Sequence, residues 1–188
     1  GSIPSFVHGY ICTFLHFRII KRNFILMEIT RLYELFLEHP LIQTDTRRLQ
    51  PGGIFFALSG PAFDGNAFAA QALEKGAAYA VIDNAAYAAG GSYIVVDNVL
   101  ETLQQLALHH RRQFTIPFIA ITGSNGKTTT KELIAAVLGR RFVTYATEGN
   151  LNNHIGVPLT LLKIKQDAQM AIIEMGANHQ KEIESYCR

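Results

Sequence analysis

The segment Gly123-Ser-Asn-Gly-Lys-Thr-Thr129 combines two glycines with a lysine and a run of threonines. Gly123 and Gly126 allow the backbone to approach an anion closely and to point successive N–H groups at it. Lys127 can reach terminal phosphates, and the Thr128 hydroxyl is an oxygen ligand of the kind that a phosphate-bound Mg²⁺ takes. The segment therefore predicts a triphosphate site made by Gly123, Ser124, Asn125, Gly126, Lys127, Thr128 and Thr129.

The spacing of this segment departs from the usual phosphate-binding loop. The strict pattern has a first glycine five residues before the glycine of Gly-Lys-Thr, and Ile121 stands at that position. A plain strand–turn–helix corner with an exposed lysine is the alternative, because Gly-Ser-Asn-Gly is a good turn in its own right. A strand before the segment and a helix that begins near Lys127 favour phosphate binding, because the helix directs the positive end of its dipole at the anion.

An acidic side chain follows the apolar run at 170–173. At the carboxyl end of a parallel strand, Glu174 can face the same Mg²⁺ as Thr128, although a glutamate that ends a strand is often only a solvated terminus. We predict that Glu174 is the second metal ligand. His179 lies five residues further on and is predicted to be a packed or surface group, as lone histidines usually are.

A segment rich in asparagine and glycine, residues 147–158, lies between the glycine segment and Glu174. Its side-chain amides can contact phosphate or substrate, but helix capping and turn formation explain asparagine equally well. The residue types leave both interpretations open for Asn150, Asn152 and Asn153.

The first part of the chain predicts a small α/β domain. One helix ends at Pro40, and its apolar residues at helical spacing are Ile29, Leu32, Tyr33 and Phe36. Apolar runs predict strands at 54–58, 78–82 and 93–96, and the last two are expected to be buried on both faces. Further helices are predicted at 66–75 and 99–112, the second with Val99, Leu103, Leu106 and His110 on one face.

A second α/β unit follows a short linker at 113–117. It is predicted to contain a strand at 118–121, a helix at 127–138, and strands at 142–144 and 170–173. Because strands alternate with helices, both sheets are expected to be parallel, with right-handed crossovers. We predict an α/β protein with an N-terminal domain at 27–113 and a parallel-sheet P-loop domain that begins at 114 and is truncated at 188.

Composition excludes several classes of protein. The chain is 48% hydrophobic and 17% charged with a net charge of +2, and its basic residues form separate doublets, so no dense nucleic-acid surface is indicated. Cys12 and Cys187 are too far apart in sequence for a disulfide framework or metal-ligand spacing, which fits a reducing cytoplasm. Residues 1–26 are predicted to be a cloning artefact or mis-assigned extension, too polar to span a bilayer, with an amphipathic membrane-surface segment as the alternative.

Several separated motifs resemble the Mur ligases of peptidoglycan synthesis. They are Thr122-Gly-Ser-Asn-Gly-Lys-Thr-Thr129, Thr147-Glu-Gly-Asn-Leu-Asn-Asn153 with Ile155-Gly-Val-Pro158, and Glu174-Met-Gly-Ala-Asn-His179. Earlier segments, Asp45-Thr46-Arg47, Pro51-Gly-Gly-Ile-Phe55 and Phe63-Asp-Gly-Asn-Ala-Phe68, resemble that family's uridine-nucleotide domain. The phosphate loop of that family is a shorter variant that lacks the first glycine, which accounts for Ile121 at that position. Asn66 stands where histidine is common, and Thr46 replaces a frequent serine but keeps the hydroxyl.

The resemblance implies an ATP-dependent amide ligase that uses Mg²⁺ and takes UDP-N-acetylmuramoyl-tripeptide and D-alanyl-D-alanine. The substrate carboxylate would take the γ-phosphoryl group of ATP, and the amine would then displace phosphate. Lys127 would be the catalytic cation, with Mg²⁺ on Thr128 and Glu174. Thr46 and Arg47 would hold the uridine end, while Asn150, Asn152 and Asn153 would line the path to the γ-phosphate. We also expect a cytoplasmic monomer without stable membrane insertion or a nucleic-acid partner.

Rival functions share the glycine loop. The Mur ligase that forms the tripeptide and folylpolyglutamate synthase both contain it, but the segment from Glu174 to His179 and the uridine-domain motifs argue against them. A nucleotide-binding module without catalysis is another alternative, because the family's C-terminal domain, second Mg²⁺ site and carbamylated lysine would follow Arg188. For that reason we expect little or no ligase turnover from residues 1–188. A P-loop kinase or GTPase would leave the first domain unexplained.

Overall fold

A computed structural model of the chain describes residues 28–176. The predicted extension at 1–26, the first residue of the predicted N-terminal domain (Met27) and the segment that contains His179 lie outside these residues. The described strands form two separate parallel sheets, as the alternation of strands and helices predicts. No helix within residues 28–176 has the length and apolar character needed to cross a membrane.

The first sheet has four parallel strands in the order β1-β2-β3-β4. Its strands are β1 (Ile42–Gln43), β2 (Ile54–Phe56), β3 (Tyr79–Ile82) and β4 (Tyr93–Val95). Its helices are α1 (28–38), α2 (Ala69–Glu74) and α3 (Val99–Arg111). Short 3₁₀ turns follow the first three strands, at Thr46–Arg48, Gly65–Phe68 and Ala85–Tyr87. Because all four strands are parallel, every connection returns the chain to the edge of the sheet at which the strands begin.

Side chains of β2 alternate between two apolar clusters, because successive residues of a strand point to opposite faces. Ile54 and Phe56 pack with the buried faces of α1 and α3, which are the predicted faces. Phe55 and Ala57 pack on the other side of the sheet with α2. Phe56 has no exposed surface, and fully burying such a side chain contributes about 1.5–3 kcal/mol to folding.

Three expectations for this unit need correction. β4 is not buried on both faces, because it is the edge strand and Val95 remains 48% exposed. β2 ends at Phe56 instead of residue 58, because the N–H of Leu58 turns back to the Phe56 carbonyl at 2.9 Å. The helix predicted at 66–75 begins as a 3₁₀ turn whose first residues are capped by the Asp64 carboxylate.

The second sheet has three parallel strands in the order β5-β7-β6. Its elements are β5 (Phe118–Ile121), α4 (Lys127–Leu138), β6 (Thr144–Ala146), α5 (Gly156–Leu162) and β7 (Met170–Glu174). β5 and α4 have the predicted bounds. β6 was predicted at 142–144 and lies two residues later, because the N–H of Phe142 still bonds to the Leu138 carbonyl in the turns that end α4.

Helix α5 joins the two units. It was not predicted, and it packs against α3, so that Leu162 belongs to the apolar cluster of the first sheet. His110 on α3 bonds through Nε2 to the Ile164 carbonyl just after α5, at 2.8 Å. Because that carbonyl only accepts, Nε2 carries the proton and Nδ1 accepts from the Tyr33 hydroxyl at 3.1 Å. The two sheets therefore share a buried contact.

Candidate functional site

Residues 122–126 form a loop between β5 and α4. Gly123 has a φ of 144° and Gly126 a φ of 76°, backbone conformations that residues with a Cβ rarely adopt. Gly126 precedes α4 and provides no side-chain cap, so the first N–H groups of the helix have no side-chain acceptor there. The loop thus presents N–H donors and the positive end of a helix dipole at one place, which is the arrangement expected for a phosphate site.

The side chain of Lys127 folds over this loop. Its Nζ donates to the Gly123 carbonyl at 2.6 Å. An ammonium group has three donors, so Lys127 can keep this bond and still donate to a phosphate oxygen. The remaining predicted loop residues, Ser124, Asn125 and Thr129, are exposed.

Thr128 and Glu174 lie together, as predicted for two ligands of one cation. β7 pairs with β5 in a register that places Glu174 opposite Ile121, directly before the loop. Thr128 Oγ1 donates to Glu174 Oε1 at 3.2 Å. Glu174 is the last residue of β7 and is only 1% exposed, so it is not the solvated terminus of the alternative interpretation.

The donor set of Thr128 and Glu174 fits Mg²⁺. Both offer hard oxygen atoms, and Thr128 Oγ1 and Glu174 Oε1 are close enough, at 3.2 Å, to face one cation. In the same part of the chain no group of three or more His, Cys, Asp or Glu side chains could hold a metal alone. A cation here would therefore take its other oxygen ligands from phosphate and water, as Mg²⁺ commonly does.

The three asparagines have different surroundings. Asn152 Nδ2 donates to Glu174 Oε1 at 2.8 Å, which brings Asn152 to the candidate metal site. Asn153 Oδ1 accepts from the N–H groups of Ile155 and Gly156 and so caps the start of α5. Asn150 is exposed. The capping interpretation is confirmed for Asn153, and a contact of Asn152 with phosphate or substrate stays a prediction.

Sequence reasoning missed Lys131, which is fully buried beneath the loop. Its Nζ donates to the Thr147 carbonyl at 2.6 Å and lies 3.9 Å from Glu174 Oε2. Lys131 lies one helical turn after Thr128 on the same face of α4, and this spacing is the sequence signal that could have identified it.

Thr46 and Arg47 lie on the first sheet, in the 3₁₀ turn after β1. Thr46 is buried, and its carbonyl accepts from Lys75 Nζ at 2.8 Å. The Arg47 side chain is 86% exposed and makes an ion pair with Asp45 at 2.7 Å. Hydrogen bonds from the side chain and backbone of Arg47 lower the pKa of Asp45 to about 2. Arg47 is therefore held at the carboxyl edge of the sheet, where ligands of parallel sheets bind.

Asn66, the residue that replaces a common histidine, connects the loops at the same edge. Its Nδ2 donates to Asp64 Oδ1 at 2.7 Å and to Asp83 Oδ1 at 2.9 Å. Its Oδ1 accepts from the N–H of Asp83 at 3.0 Å. The asparagine thus fastens the loop after β2 to the end of β3.

Comparisons with known proteins place both units in one family. A family model described as Mur ligase family, catalytic domain, matches residues 40–111. A second, described as Mur ligase middle domain, matches residues 121–188. Residues 112–120, which include most of β5, lie between the two matches.

Individual relatives carry a more specific name. UDP-N-acetylmuramoyl-tripeptide–D-alanyl-D-alanine ligase of Bacillus subtilis is 42% identical over 149 residues, which are 78% of this chain and 33% of the relative. The protein of the same name from Escherichia coli is 44% identical over 142 residues, 76% of this chain and 31% of the relative. The chain thus spans about a third of the length of these relatives.

Solved structures agree with the sequence comparisons. MurF from Acinetobacter baumannii is 40% identical with a TM-score of 0.71, over 77% of this chain and 32% of that chain. MurF ligase from Thermotoga maritima in complex with ADP is 28% identical with a TM-score of 0.72, over 81% of this chain and 35% of that chain.

Proposed function

The chain belongs to the Mur ligase family, and on that premise we propose that it forms the front part of an ATP-dependent ligase that joins D-alanyl-D-alanine to UDP-N-acetylmuramoyl-tripeptide. The observation that carries the proposal is the 3.2 Å hydrogen bond between Thr128 Oγ1 and Glu174 Oε1. It supports ATP chemistry because it brings metal-binding oxygens to the edge of a loop suited to phosphate.

The proposed reaction has two steps. An oxygen of the tripeptide carboxylate bonds to the γ-phosphorus while the bond to the ADP oxygen breaks, which gives an acyl phosphate and ADP. The amine nitrogen of D-alanyl-D-alanine then bonds to the acyl carbon, phosphate leaves, and the amine loses a proton. Both steps shift negative charge onto phosphate oxygens, so fixed positive groups at those oxygens lower the barrier.

The residues of the loop supply that positive charge. Backbone N–H groups of residues 123–129 and the start of α4 bind the phosphates, and Lys127 acts as the catalytic cation at the transferred group. Thr128 and Glu174 are the residues that would hold Mg²⁺, which when bound supplies further charge neutralisation. Asn150, Asn152 and Asn153 would line the path from the peptide carboxylate to the γ-phosphate, and the contact of Asn152 with Glu174 supports this for Asn152.

The first sheet is proposed to bind the uridine end of the substrate. Thr46 and Arg47 lie at its carboxyl edge, and the exposed guanidinium of Arg47 can pair with a phosphate oxygen. We assign this role to a domain at residues 27–113, with the ATP domain beginning at 114. We further propose that the protein is a cytoplasmic monomer.

Calorimetric titration of the chain with two separate ligands tests the proposal. ATP with Mg²⁺ and UDP-N-acetylmuramoyl-tripeptide should each bind. Glu174→Gln should weaken binding of ATP with Mg²⁺ only, and Arg47→Met should weaken binding of UDP-N-acetylmuramoyl-tripeptide only, because the two residues lie on different sheets. If neither ligand binds the unaltered chain, or if each variant weakens both ligands equally, the proposal is wrong.

The same titration distinguishes the proposed activity from that of the Mur ligase that forms the tripeptide. The Mur ligase that forms the tripeptide takes the corresponding UDP-linked dipeptide, so tighter binding of the dipeptide than of the tripeptide would favour that activity. Each relative described above carries the name of the enzyme that uses the tripeptide, and we expect the tripeptide to bind more tightly.

A further inference from the structure

Lys131 is a charged residue in an environment where lysine is rare. Its side chain has no exposed surface, and the Glu174 side chain beside it is 1% exposed. Lys131 Nζ donates to the Thr147 carbonyl at 2.6 Å and pairs with Glu132 Oε1 at 2.9 Å. The Glu132 side chain is 66% exposed, so this second pair reaches the surface. The proposed reaction above leaves Lys131 without a role.

The two oxygens of Glu174 have different surroundings. Oε1 accepts from Thr128 and Asn152, at 3.2 and 2.8 Å. Oε2 is buried, has no hydrogen-bond partner among residues 28–176, and lies 3.9 Å from Lys131 Nζ. A buried carboxylate oxygen without a hydrogen bond needs a nearby positive charge, and the Lys131 ammonium supplies it.

Three elements are connected at this point. Lys131 reaches from α4 to the carbonyl of Thr147 at the end of β6. The Thr147 hydroxyl in turn accepts the N–H of Glu174 at the end of β7, at 2.9 Å. Lys131 also lies one turn after Thr128, so the helix that carries one candidate metal ligand carries the counter-charge of the other.

We propose that Lys131 is a positioning residue for the Mg²⁺-nucleotide site. Its ammonium draws Oε2 of Glu174 inward and so keeps Oε1 directed at Thr128 before nucleotide binds. This inference rests on the proposed function, because it assigns Glu174 and Thr128 to the cation. It implies that Lys131 contributes to the gain in nucleotide affinity that Mg²⁺ confers, and not to binding of the phosphates themselves.

The test compares ATP affinity in the presence of Mg²⁺ and of EDTA. For Lys131→Met the gain in affinity from Mg²⁺ should fall by about tenfold, which is typical for loss of a group that orients a metal ligand. Affinity in EDTA should stay within about twofold, because the loop and Lys127 are intact. The matched control is Lys163→Met, since Lys163 is exposed and pairs with Glu148 at the surface. It should leave both affinities unchanged.

Each outcome decides between the proposals. An equal loss of affinity with and without Mg²⁺ leaves the Mg²⁺ gain unchanged and assigns Lys131 a purely structural role. No loss in either condition, or a larger Mg²⁺ gain, shows that Lys131 does not orient Glu174. Each of these results overturns the inference. If the unaltered chain binds ATP without any gain from Mg²⁺, the proposed cation site itself fails, which is a different result.

If Lys131→Met fails to fold, a double variant that also replaces Glu174 tests the inference. Without its partner the Glu174 carboxylate is an uncompensated buried charge, so Glu174→Gln in the same chain should restore a cooperative melting transition. If the double variant is as unfolded as Lys131→Met, Lys131 stabilises the fold independently of Glu174, and the inference is overturned.

Discussion

The two sheets bury different kinds of polar group. In the first unit the buried polar residues are the neutral side chains Thr46 and Asn66 together with His110, which accepts a hydrogen bond on one ring nitrogen. In the second unit two charged side chains are buried, Lys131 on α4 and Glu174 at the carboxyl end of β7, with Nζ and Oε2 3.9 Å apart. Because a buried ion pair is a weak source of stability, we expect the packing of the first sheet to contribute more to the free energy of unfolding than the buried charges of the second.

The outer surfaces differ as well. β2 of the first sheet is covered on both faces by helices and has no exposed residue. On the second sheet the outer face of α4 leaves Leu133 64% and Val137 71% exposed, and these residues border an apolar groove with Ile119, Ile134 and Leu138. Substitutions in the two units should therefore have effects of different kind and size.

The largest effect on stability is expected in the first sheet. Phe56→Ala should lower the free energy of unfolding by about 3–5 kcal/mol, because it removes a fully buried ring between α1, α3 and β3. Urea denaturation measures this change. Leu37→Ala on the same unit is the control, since Leu37 is 57% exposed and should change the value by less than about 0.5 kcal/mol. Equal losses for the two variants would contradict the packing described here.

A loss of binding without a loss of stability is expected at the loop of the second unit. Lys127→Met should weaken ATP binding by about 1.5–3 kcal/mol, the range for a charged hydrogen bond, while the free energy of unfolding changes little. Calorimetry and urea denaturation of one preparation measure both quantities. Lys165→Met alters an exposed lysine and should affect neither. A Lys127 variant that binds ATP normally would favour the plain turn with an exposed lysine.

The junction of the two units should respond to pH. Burial lowers the pKa of His110, with a smaller contribution from His109, although the bond to the Ile164 carbonyl opposes the shift. As pH falls below about 6.5, the unfolded chain therefore takes up a proton before the folded chain does, and stability declines by at most about 1.4 kcal/mol per pH unit. Urea denaturation across this range should show a decline that His110→Gln removes and that the exposed His154→Gln keeps. If the stability of His110→Gln still declines over this pH range, another titrating group causes the decline.

The smallest effect on stability is expected on the outer face of α4. Replacing Leu133 and Val137 together by glutamine should change the free energy of unfolding by no more than about 0.5 kcal/mol per site, because both side chains are exposed and glutamine suits a helix. The same change should reduce association at high protein concentration, which sedimentation velocity measures, since it removes apolar surface. A large loss of stability would show that this face is packed in solution.

Local signals made much of the second unit predictable. Gly126 before Lys127 marks the start of α4, and this helix has the predicted bounds. Thr128 and Glu174 were brought together by one rule, that carboxyl ends of parallel strands share an edge of the sheet. The apolar spacing of α1 and α3 likewise identified their buried faces.

The sequence misled where tertiary contacts override local preference. The asparagines and glycines of residues 147–158 indicated turns, yet Gly156 and Pro158 lie in the first turn of α5, where proline is tolerated and Asn153 supplies the cap. Lys131 was missed because lysine is almost always exposed, and only the fold shows that Thr147 and Glu174 surround it.

Helix α5 imposes a restriction on movement between the two units. The linker at 113–117 is long enough to act as a hinge, but α5 packs against α3. The hydrogen bond from His110 to the Ile164 carbonyl adds a second contact between the two units. Any rotation of one sheet relative to the other must first open apolar surface to water. In the proposed function, a uridine end bound at the first sheet and an ATP bound at the second would then be held at a fixed separation, which would determine how far the peptide carboxylate lies from the γ-phosphate.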